Sequence, residues 1–415
     1  MRIHAVSCYA IALCIATSVM AQEARFPSFR TIEINPEADV NPAIVACDIN
    51  ADGKPDIVTL SNTECAWYEN PTWERHVISG QLKNLMVCLA PYDLDGDKIP
   101  ELAIGADWQF DNTAAGGALY LLVHNEDVKQ PWRAIELVAE EPTLHRIRWA
   151  DTDGDKKPEL IVAPLKGRNT TAPAHQETGV DFYLLRPSAA PFDAPWKKEA
   201  IDTRLHVLHN FLPVPDAHGD ALFTASFEGI TLHRRATDGT WSSQLRLPGS
   251  GEPIPRAGAG EVKVGSLGEH ATIATVEPWH GDHFVVYVSL NPGLLVEQEF
   301  WHRLVIDKEV AGGHALGWAD FDGDGADELV AGFRDKAGAK QLPGLNLYDF
   351  DFDPGHPTRL KSYKMVIDDG GMATEDLAVA DFNGDGKPDF AAVGRATHNI
   401  RLYENLGMTS SAKAK

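Results

Sequence analysis

The sequence predicts an all-β chain folded as one seven-bladed β-propeller. Three observations predict it: an acidic motif that recurs five times, a repeat of about 56 residues, and four short apolar runs in each repeat.

The motif reads Asp-x-Asp/Asn-x-Asp-x-x-x-Asp/Glu and leads directly into an apolar run. Its copies are DINADGKPD from Asp48, DLDGDKIPE from Asp93, DTDGDKKPE from Asp151, DFDGDGADE from Asp320 and DFNGDGKPD from Asp381. Successive spacings are 45, 58, 169 and 61 residues. The long gap holds three repeat lengths, so two repeats without the acids are expected inside it. LPVPDAHGDALFTAS (212–226) and VKVGSLGEHATIATVE (262–277) keep the apolar–turn–apolar frame and fill the gap.

Within a repeat, one apolar run precedes the acidic loop and a second follows it. A third run reads AWYEN, LYLLV, FYLLR, NLYDF or IRLYEN, and a fourth reads WERHVIS, WRAIELV, WKKEAID or WHRLVID. Four short strands per period are the signature of a propeller blade. The last repeat stops at its third run, IRLYEN (400–405). FRTIEI (29–34) is expected to supply the missing fourth strand and close the ring, leaving no free sheet edge. The propeller is expected over 22–407, with a disordered tail, MTSSAKAK, over 408–415.

Residues 1–21 read as a secretory leader. Arg2 and His4 precede an apolar stretch from Ala5 to Met20, and Val19-Met20-Ala21 is a small-x-small cleavage site. A secreted or periplasmic protein follows, with an uncleaved anchor as the alternative and no other membrane span. Removing 21 of 415 residues leaves Cys47, Cys65 and Cys88, an odd number and no disulfide framework. The net charge of −23, from 37 Lys+Arg against 60 Asp+Glu, argues against nucleic acid and anionic membranes as partners. Among nucleotide, zincin and nucleophile-elbow motifs, none is present to support an ATPase, dehydrogenase, zinc protease or serine hydrolase.

Acids at positions 1, 3, 5 and 9 can converge on one hard cation, because calcium takes six to eight oxygens. Up to five structural Ca2+ sites are therefore expected. Their ligands are Asp48, Asn50, Asp52 and Asp56; Asp93, Asp95, Asp97 and Glu101; Asp151, Asp153, Asp155 and Glu159; Asp320, Asp322, Asp324 and Glu328; Asp381, Asn383, Asp385 and Asp389. The fully acidic loops at 93, 151 and 320 are expected to bind best. An EF-hand would carry a Glu at position 12 and helical flanks, which these loops lack. The pattern resembles the FG-GAP/VCBS repeat family.

These loops join the first strand to the second, so they share one face of the ring. The starts of the first strands and the ends of the second strands share the other face. Six residues before the first acid stand Pro42, Val87, His145, His314 and Glu375, while His206, His209, Asn210 and Glu261 take that zone in the acid-free repeats. Arg146 and Asp376 are their neighbours. The second strands deliver Asp107, Trp108, Lys166, Arg168, Glu228, Glu277, Trp279, His280, His283, Arg334 and Arg395 to the same face. Histidines, acids and cations thus converge on one channel mouth, the pattern of a site rather than of an inert ring.

HRIRWADTDGD (145–155), VEPWHGDH (276–283) and GGHALGWADFDGDG (312–325) resemble the propeller domain of aldos-2-ulose dehydratases. That resemblance implies elimination of water from keto-sugars such as 1,5-anhydrofructose and glucosone. It does not extend to the isomerase part, which lies in further domains of the fungal enzymes. Removing water β to a carbonyl needs a base, an electrophile for the enolate and an acid for the hydroxyl. His145, His209 and His314 are candidate bases, or together the ligands of a further divalent metal in the channel. Arg146 or Lys166 is the candidate enolate stabiliser, and Glu261, Glu277 or Glu375 the candidate acid. Trp108 or Trp279 can stack on a sugar, and Lys166, Arg168 and Arg334 can neutralise a uronate. Three readings stand at this stage: a carbon–oxygen lyase acting on a keto-sugar or uronate, a non-catalytic carbohydrate- or protein-binding propeller, and a purely structural repeat protein.

Overall fold

The computed structural model describes residues 25–408 apart from 41, 80–81, 194 and 337–341. The leader and all but the first residue of the expected tail lie outside the described residues. Seven four-stranded antiparallel sheets form the blades. Their innermost strands are Ala43–Cys47, Cys88–Tyr92, Leu144–Ala150, Asn210–Asp216, Lys263–Leu267, Gly313–Ala319 and Thr374–Ala380. Blades 1 to 7 are numbered in that order. The two acid-free repeats are blades 4 and 5. A small hairpin, Ser250–Gly251 with Ala257–Gly258, lies between them. No helix among the described residues is long and apolar enough to cross a membrane.

Each blade runs outward in chain order, except the seventh. Its order from the axis is Thr374–Ala380, Asp389–Gly394, Asn399–Gly407, then Ser28–Asn35. Ser28–Asn35 lies antiparallel to Asn399–Gly407, with Thr31 opposite Tyr403. The Arg30–Glu404 and Arg401–Glu33 pairs flank that seam.

The blades stay together because their second strands are apolar on both faces. Asp56–Leu60, Glu101–Ala106, Glu159–Pro164, Glu328–Phe333 and Asp389–Gly394 are buried along their whole length. A strand packed between two neighbouring sheets has no solvent face, so strict alternation is lost. The core is accordingly seven apolar seams. Val58, Leu60 and Trp67 of blade 1 meet Leu102, Ile104 and Tyr120 of blade 2. Ile44 and Tyr68 of blade 1 meet Val393 and Ile400 of blade 7, which closes the circle. Each fully buried side chain of this kind contributes about 1.5–3 kcal/mol. Outer strands are partly exposed instead, as Arg133–Val138 is, with Arg133 and Glu136 in solvent.

Candidate functional site at the channel mouth

Local backbone irregularities put two of the four histidines on the axis. In blades 3, 6 and 7 the ladder between the first two strands skips one residue near its start: Leu144 faces Pro164 and Arg146 faces Ala163, Gly313 faces Phe333 and Ala315 faces Gly332, Thr374 faces Gly394 and Asp376 faces Val393. The skipped residues are His145, His314 and Glu375. A bulge re-aims side chains, so two consecutive residues can serve one surface. That is why His145 and Arg146, or Glu375 and Asp376, both reach the channel. Blades 1 and 2 contribute only Pro42 and the buried Val87 at this level.

Four imidazoles meet there. His145 and His209 rings lie 4.7 Å apart, His209 and His314 5.1 Å, His209 and His280 4.3 Å, and His280 and His314 5.0 Å. Three have Nδ1 against a backbone carbonyl: His145 on His209 at 3.0 Å, His209 on Gly260 at 2.5 Å, and His314 on Glu375. A carbonyl only accepts, so Nδ1 carries the proton and Nε2 keeps its lone pair. His280 is the opposite case. Its Nδ1 faces the Arg334 guanidinium at 3.2 Å and must accept. Its Nε2 therefore carries the proton, directed at His209 Nε2 2.6 Å away.

Burial holds all four imidazoles below the ordinary histidine range, and the neighbouring cations push the same way. Only at His209 does Glu261, 3.4 Å away, push back. The cluster is neutral at neutral pH.

His280 belongs to a loop that packs tightly. Its φ of 50° is left-handed, which costs a non-glycine residue about 1–2 kcal/mol. Its ring stacks on Trp279 at 4.5 Å, with an interplanar angle of 23°. Gly260 makes room: a Cβ there would lie 3.1 Å from the His280 nitrogen and 3.2 Å from the Trp279 ring.

The carboxylates brace this arrangement. Glu375 accepts two hydrogen bonds from Arg334, at 3.0 and 2.8 Å, and one from Arg395 at 3.0 Å. Glu261 accepts Asn210 Nδ2 at 2.5 Å. Burial would raise the Glu261 carboxyl, but the His209 bond, Lys263 and Arg146 hold it below its usual range. It is ionised, so it positions His209 and Asn210 and is a poor proton donor. Arg146 donates to the His145 carbonyl at 3.0 Å and to His145 Nε2 at 3.3 Å.

An aromatic wall rises beside the histidines. Trp108 lies 5.9 Å from His145, Phe110 stacks parallel to Trp279 at 6.4 Å, and Lys166 Nζ sits 3.6 Å over the Phe110 ring. Lys166 also donates to the Phe110 carbonyl at 2.7 Å, and burial lowers its ammonium. Leu165, Val207 and Phe227 form the apolar base under this wall. Phe110 is a site residue that the strand-end rule missed, because it lies in the loop beyond Trp108.

Several expected residues do not join. Glu277 is turned into blade 5, where Thr275, Tyr287 and Arg303 take its oxygens at 2.9, 2.8 and 2.5 Å. It neither faces the mouth nor can act as the acid there. Arg168 is exposed and pairs with Glu140 at 3.0 Å. His206 pairs with Glu228 at 2.7 Å, Asp107 with Lys83 at 3.2 Å and His283 with Asp282 at 2.8 Å.

On the opposite face the acidic loops wrap a common centre. In the loops at 93, 151, 320 and 381 the first Asp accepts the N–H groups three and five residues on, at 2.7–3.0 Å. The loop at 48 uses residues four and five on, Asp52 and Gly53. Acid trios with oxygens within 4.8 Å of one another are Asp93/Asp95/Glu101, Asp151/Asp153/Asp155 and Asp320/Asp322/Glu328. Glu101 Oε1 is buried without a partner, while burial beside Asp322 pushes Glu328 up to about 9. Both observations fit residues suited to hold a cation. Position nine differs in the other two loops. There the shorter Asp56 and Asp389 spend both oxygens on backbone N–H groups, of Ile49 and Asn70 and of Phe382 and Asn405. In blade 3, Arg186 donates to Asp153 at 2.8 Å and forms an ion pair with Glu159 at 2.5 Å.

The fold and this mouth define a seven-bladed β-propeller with four histidines converging on its axis. Residues 116–290 match the family model of the aldos-2-ulose dehydratase β-propeller domain. The matched stretch contains His145, Arg146, Lys166, His209, Glu261, Trp279 and His280, whereas His314, Arg334 and Glu375 lie beyond it. No curated protein matches. Among solved structures, BBS1N in complex with ARL6DN superposes with a TM-score of 0.54 at 12% identity, over 94% of this chain and 98% of that one. The extracellular domain of the putative hybrid two-component system BT4673 from B. thetaiotaomicron gives 0.50 at 13% identity, over 91% of this chain and 40% of that one. At such identities the likeness concerns the fold alone.

Proposed function

We propose that this protein is a secreted carbohydrate lyase of the dehydratase kind, eliminating water β to the carbonyl of a keto-sugar at the channel mouth. The observation that carries this reading is the neutral histidine cluster beside the Trp108–Phe110–Trp279 wall. The family match over 116–290 supports it.

In this reading the sugar lies against Trp279 and Phe110, with its carbonyl toward Arg146 and its α-carbon toward His145. The Arg146 N–H that donates to His145 Nε2 in the free protein turns to the substrate carbonyl, the freed Nε2 takes the α-proton, and the C–H electron pair moves toward the carbonyl as an enolate. Arg146 and Lys166 stabilise that charge. The enolate then re-forms the carbonyl, the C–C double bond forms and the C–O bond to the β-hydroxyl breaks. The proton on His145 goes to the departing oxygen, which leaves as water. One imidazole thus closes the proton balance, which neither Glu261 nor Glu375 is placed to do. Glu375 and Glu261 are positioning residues, acting through Arg334 and His209.

The donor set also fits a divalent metal. His209, His280 and His314 offer nitrogens within 4.8 Å of one another. His209 and His314 would offer their Nε2 lone pairs to a cation there, and His280 would join them by carrying its proton on Nδ1 instead, with the Arg334 guanidinium turned away. When bound it supplies Lewis-acid polarisation of the carbonyl. The acidic loops of blades 2 and 6 are proposed as structural calcium sites, and that of blade 3 as a weaker one because Arg186 partly supplies its charge.

The test is ultraviolet absorbance of the purified, calcium-loaded protein with 1,5-anhydrofructose, glucosone and a panel of uronate polysaccharides. A new enone band that disappears in His145→Ala and His314→Ala is expected. A flat trace across the panel from folded protein would instead favour a carbohydrate-binding propeller without turnover. Unchanged rates in both variants on a confirmed substrate would sink the assignment.

A further inference from the structure

Below the histidines the channel continues as a cavity of about 540 Å³ that runs along the first strands toward the acidic-loop face. Side chains two apart on a strand share a face. Arg146 and Arg148 of blade 3 therefore both project inward, and Lys263 of blade 5 lines the same cavity, with Glu261 just before its strand close enough to act on its charge. Asn210 and Asp376 complete the charged level. Nearer the acidic loops the wall turns apolar, with Pro91, Ala378 and Val379.

Among the described residues, the cations here have no charged partner in contact. Arg148 donates to the neutral Asn210 amide oxygen at 2.8 Å. Arg146 donates to a carbonyl and an imidazole of His145. Among the described residues, Lys263 Nζ has no acceptor within hydrogen-bond distance and no carboxylate within 4.0 Å. The two acids nearby are already served. Asp376 accepts the N–H of Ile44 at 3.2 Å and of Leu377 at 3.0 Å, and Glu261 accepts Asn210 and His209. Three cations against two carboxylates leave one positive charge. Burial pushes the Arg148 guanidinium down to about 10 and lowers the Lys263 ammonium, the response of desolvated cations without a counter-charge in contact.

We propose that this lower channel is a second binding site, for a small organic monocarboxylate. Its carboxylate is received by Arg146, Arg148 and Lys263, and its apolar body lies between Pro91 and Ala378. A single negative charge completes the balance. A dianion would place surplus charge beside Glu261 and Asp376, and a neutral ligand would leave the cations unpaired. The site meets the elimination chemistry at Arg146 alone; Arg148 and Lys263 take no part in that reading.

The experiment is isothermal titration of the full-length folded protein, in chloride-free buffer, with benzoate, benzamide and inorganic phosphate. Saturable one-to-one binding of benzoate is expected, with benzamide silent and phosphate at least tenfold weaker. Lys263→Met and Arg148→Met should each weaken benzoate at least tenfold, while His314→Ala leaves it within twofold. No binding of benzoate to the wild type overturns the proposal. So does benzamide binding as well as benzoate, or phosphate binding more tightly, and neither comparison needs a variant to fold. Undiminished affinity in a folded Lys263→Met protein, or loss of binding in His314→Ala, would equally refute it.

Discussion

Glu375→Gln is the substitution that most directly tests the bracing of the mouth. The carboxylate is 7% exposed and holds Arg334, whose side chain is 16% exposed, and Arg395, at 46%. Stripping one partner from a buried pair costs about 3–5 kcal/mol. The Arg395 contact is solvent-screened and adds less than about 1 kcal/mol. Because Arg334 is partly wet, a loss of about 2–3 kcal/mol is expected. Unfolding entropy of about 2.1 cal/mol/K per residue makes each kcal/mol worth about 1.1 °C in a chain of this length. The midpoint in scanning calorimetry should fall about 2–3 °C. A double-mutant cycle with Arg334→Met should return a coupling above about 1.5 kcal/mol. The substitution also frees the guanidinium that faces His280 Nδ1, so any divalent-metal affinity of the mouth should change with it. A midpoint within 1 °C of wild type together with a coupling below about 0.5 kcal/mol would refute the reasoning.

Two further outcomes are expected. Removing divalent cations with EGTA should lower the melting midpoint, since a ligand at a hundredfold excess over its Kd stabilises by about 2.7 kcal/mol; Glu101→Gln should shrink that response, and an EGTA-insensitive wild type would argue against structural calcium. His233, fully buried between Thr224 and Ser243 with Asp202 at 3.7 Å, is pushed by burial down to about 4. An unfolded chain takes up its proton near pH 6.5 while the folded one does not, so acidification from 6.5 to 4 destabilises by up to about 3 kcal/mol. His233→Gln should flatten the urea-midpoint profile over that window, and parallel profiles would contradict the assignment.

The blades are legible in the sequence because each acidic loop must sit between two strands, and its turn chemistry marks the place. Even the acid-free blades can be located, since the observed Gly219–Ser226 and His270–Glu277 fall within the segments that the period demands. The site is legible only in part. Counting back from each loop finds His145, His314 and Glu375, but the bulges that turn them inward leave no mark in a single sequence. Glu277 shows the converse: at the end of its strand it faces Arg303, while Trp279 and His280, just beyond the ladder, swing to the mouth. Arg148 and Lys263 could have been found by stepping two residues along from Arg146 and Glu261.

The pairing of Ser28–Asn35 with Asn399–Gly407 also sets a clock. The first blade strand to be made must wait for nearly the last before its hydrogen bonds form, a loop closure of more than 360 residues. Such distant pairing slows folding and leaves both edges exposed to wrong partners while the chain is incomplete. The seventh blade is therefore expected to be the last to acquire amide protection during refolding, and a tether bringing the two ends together should speed that step more than any change inside a single blade.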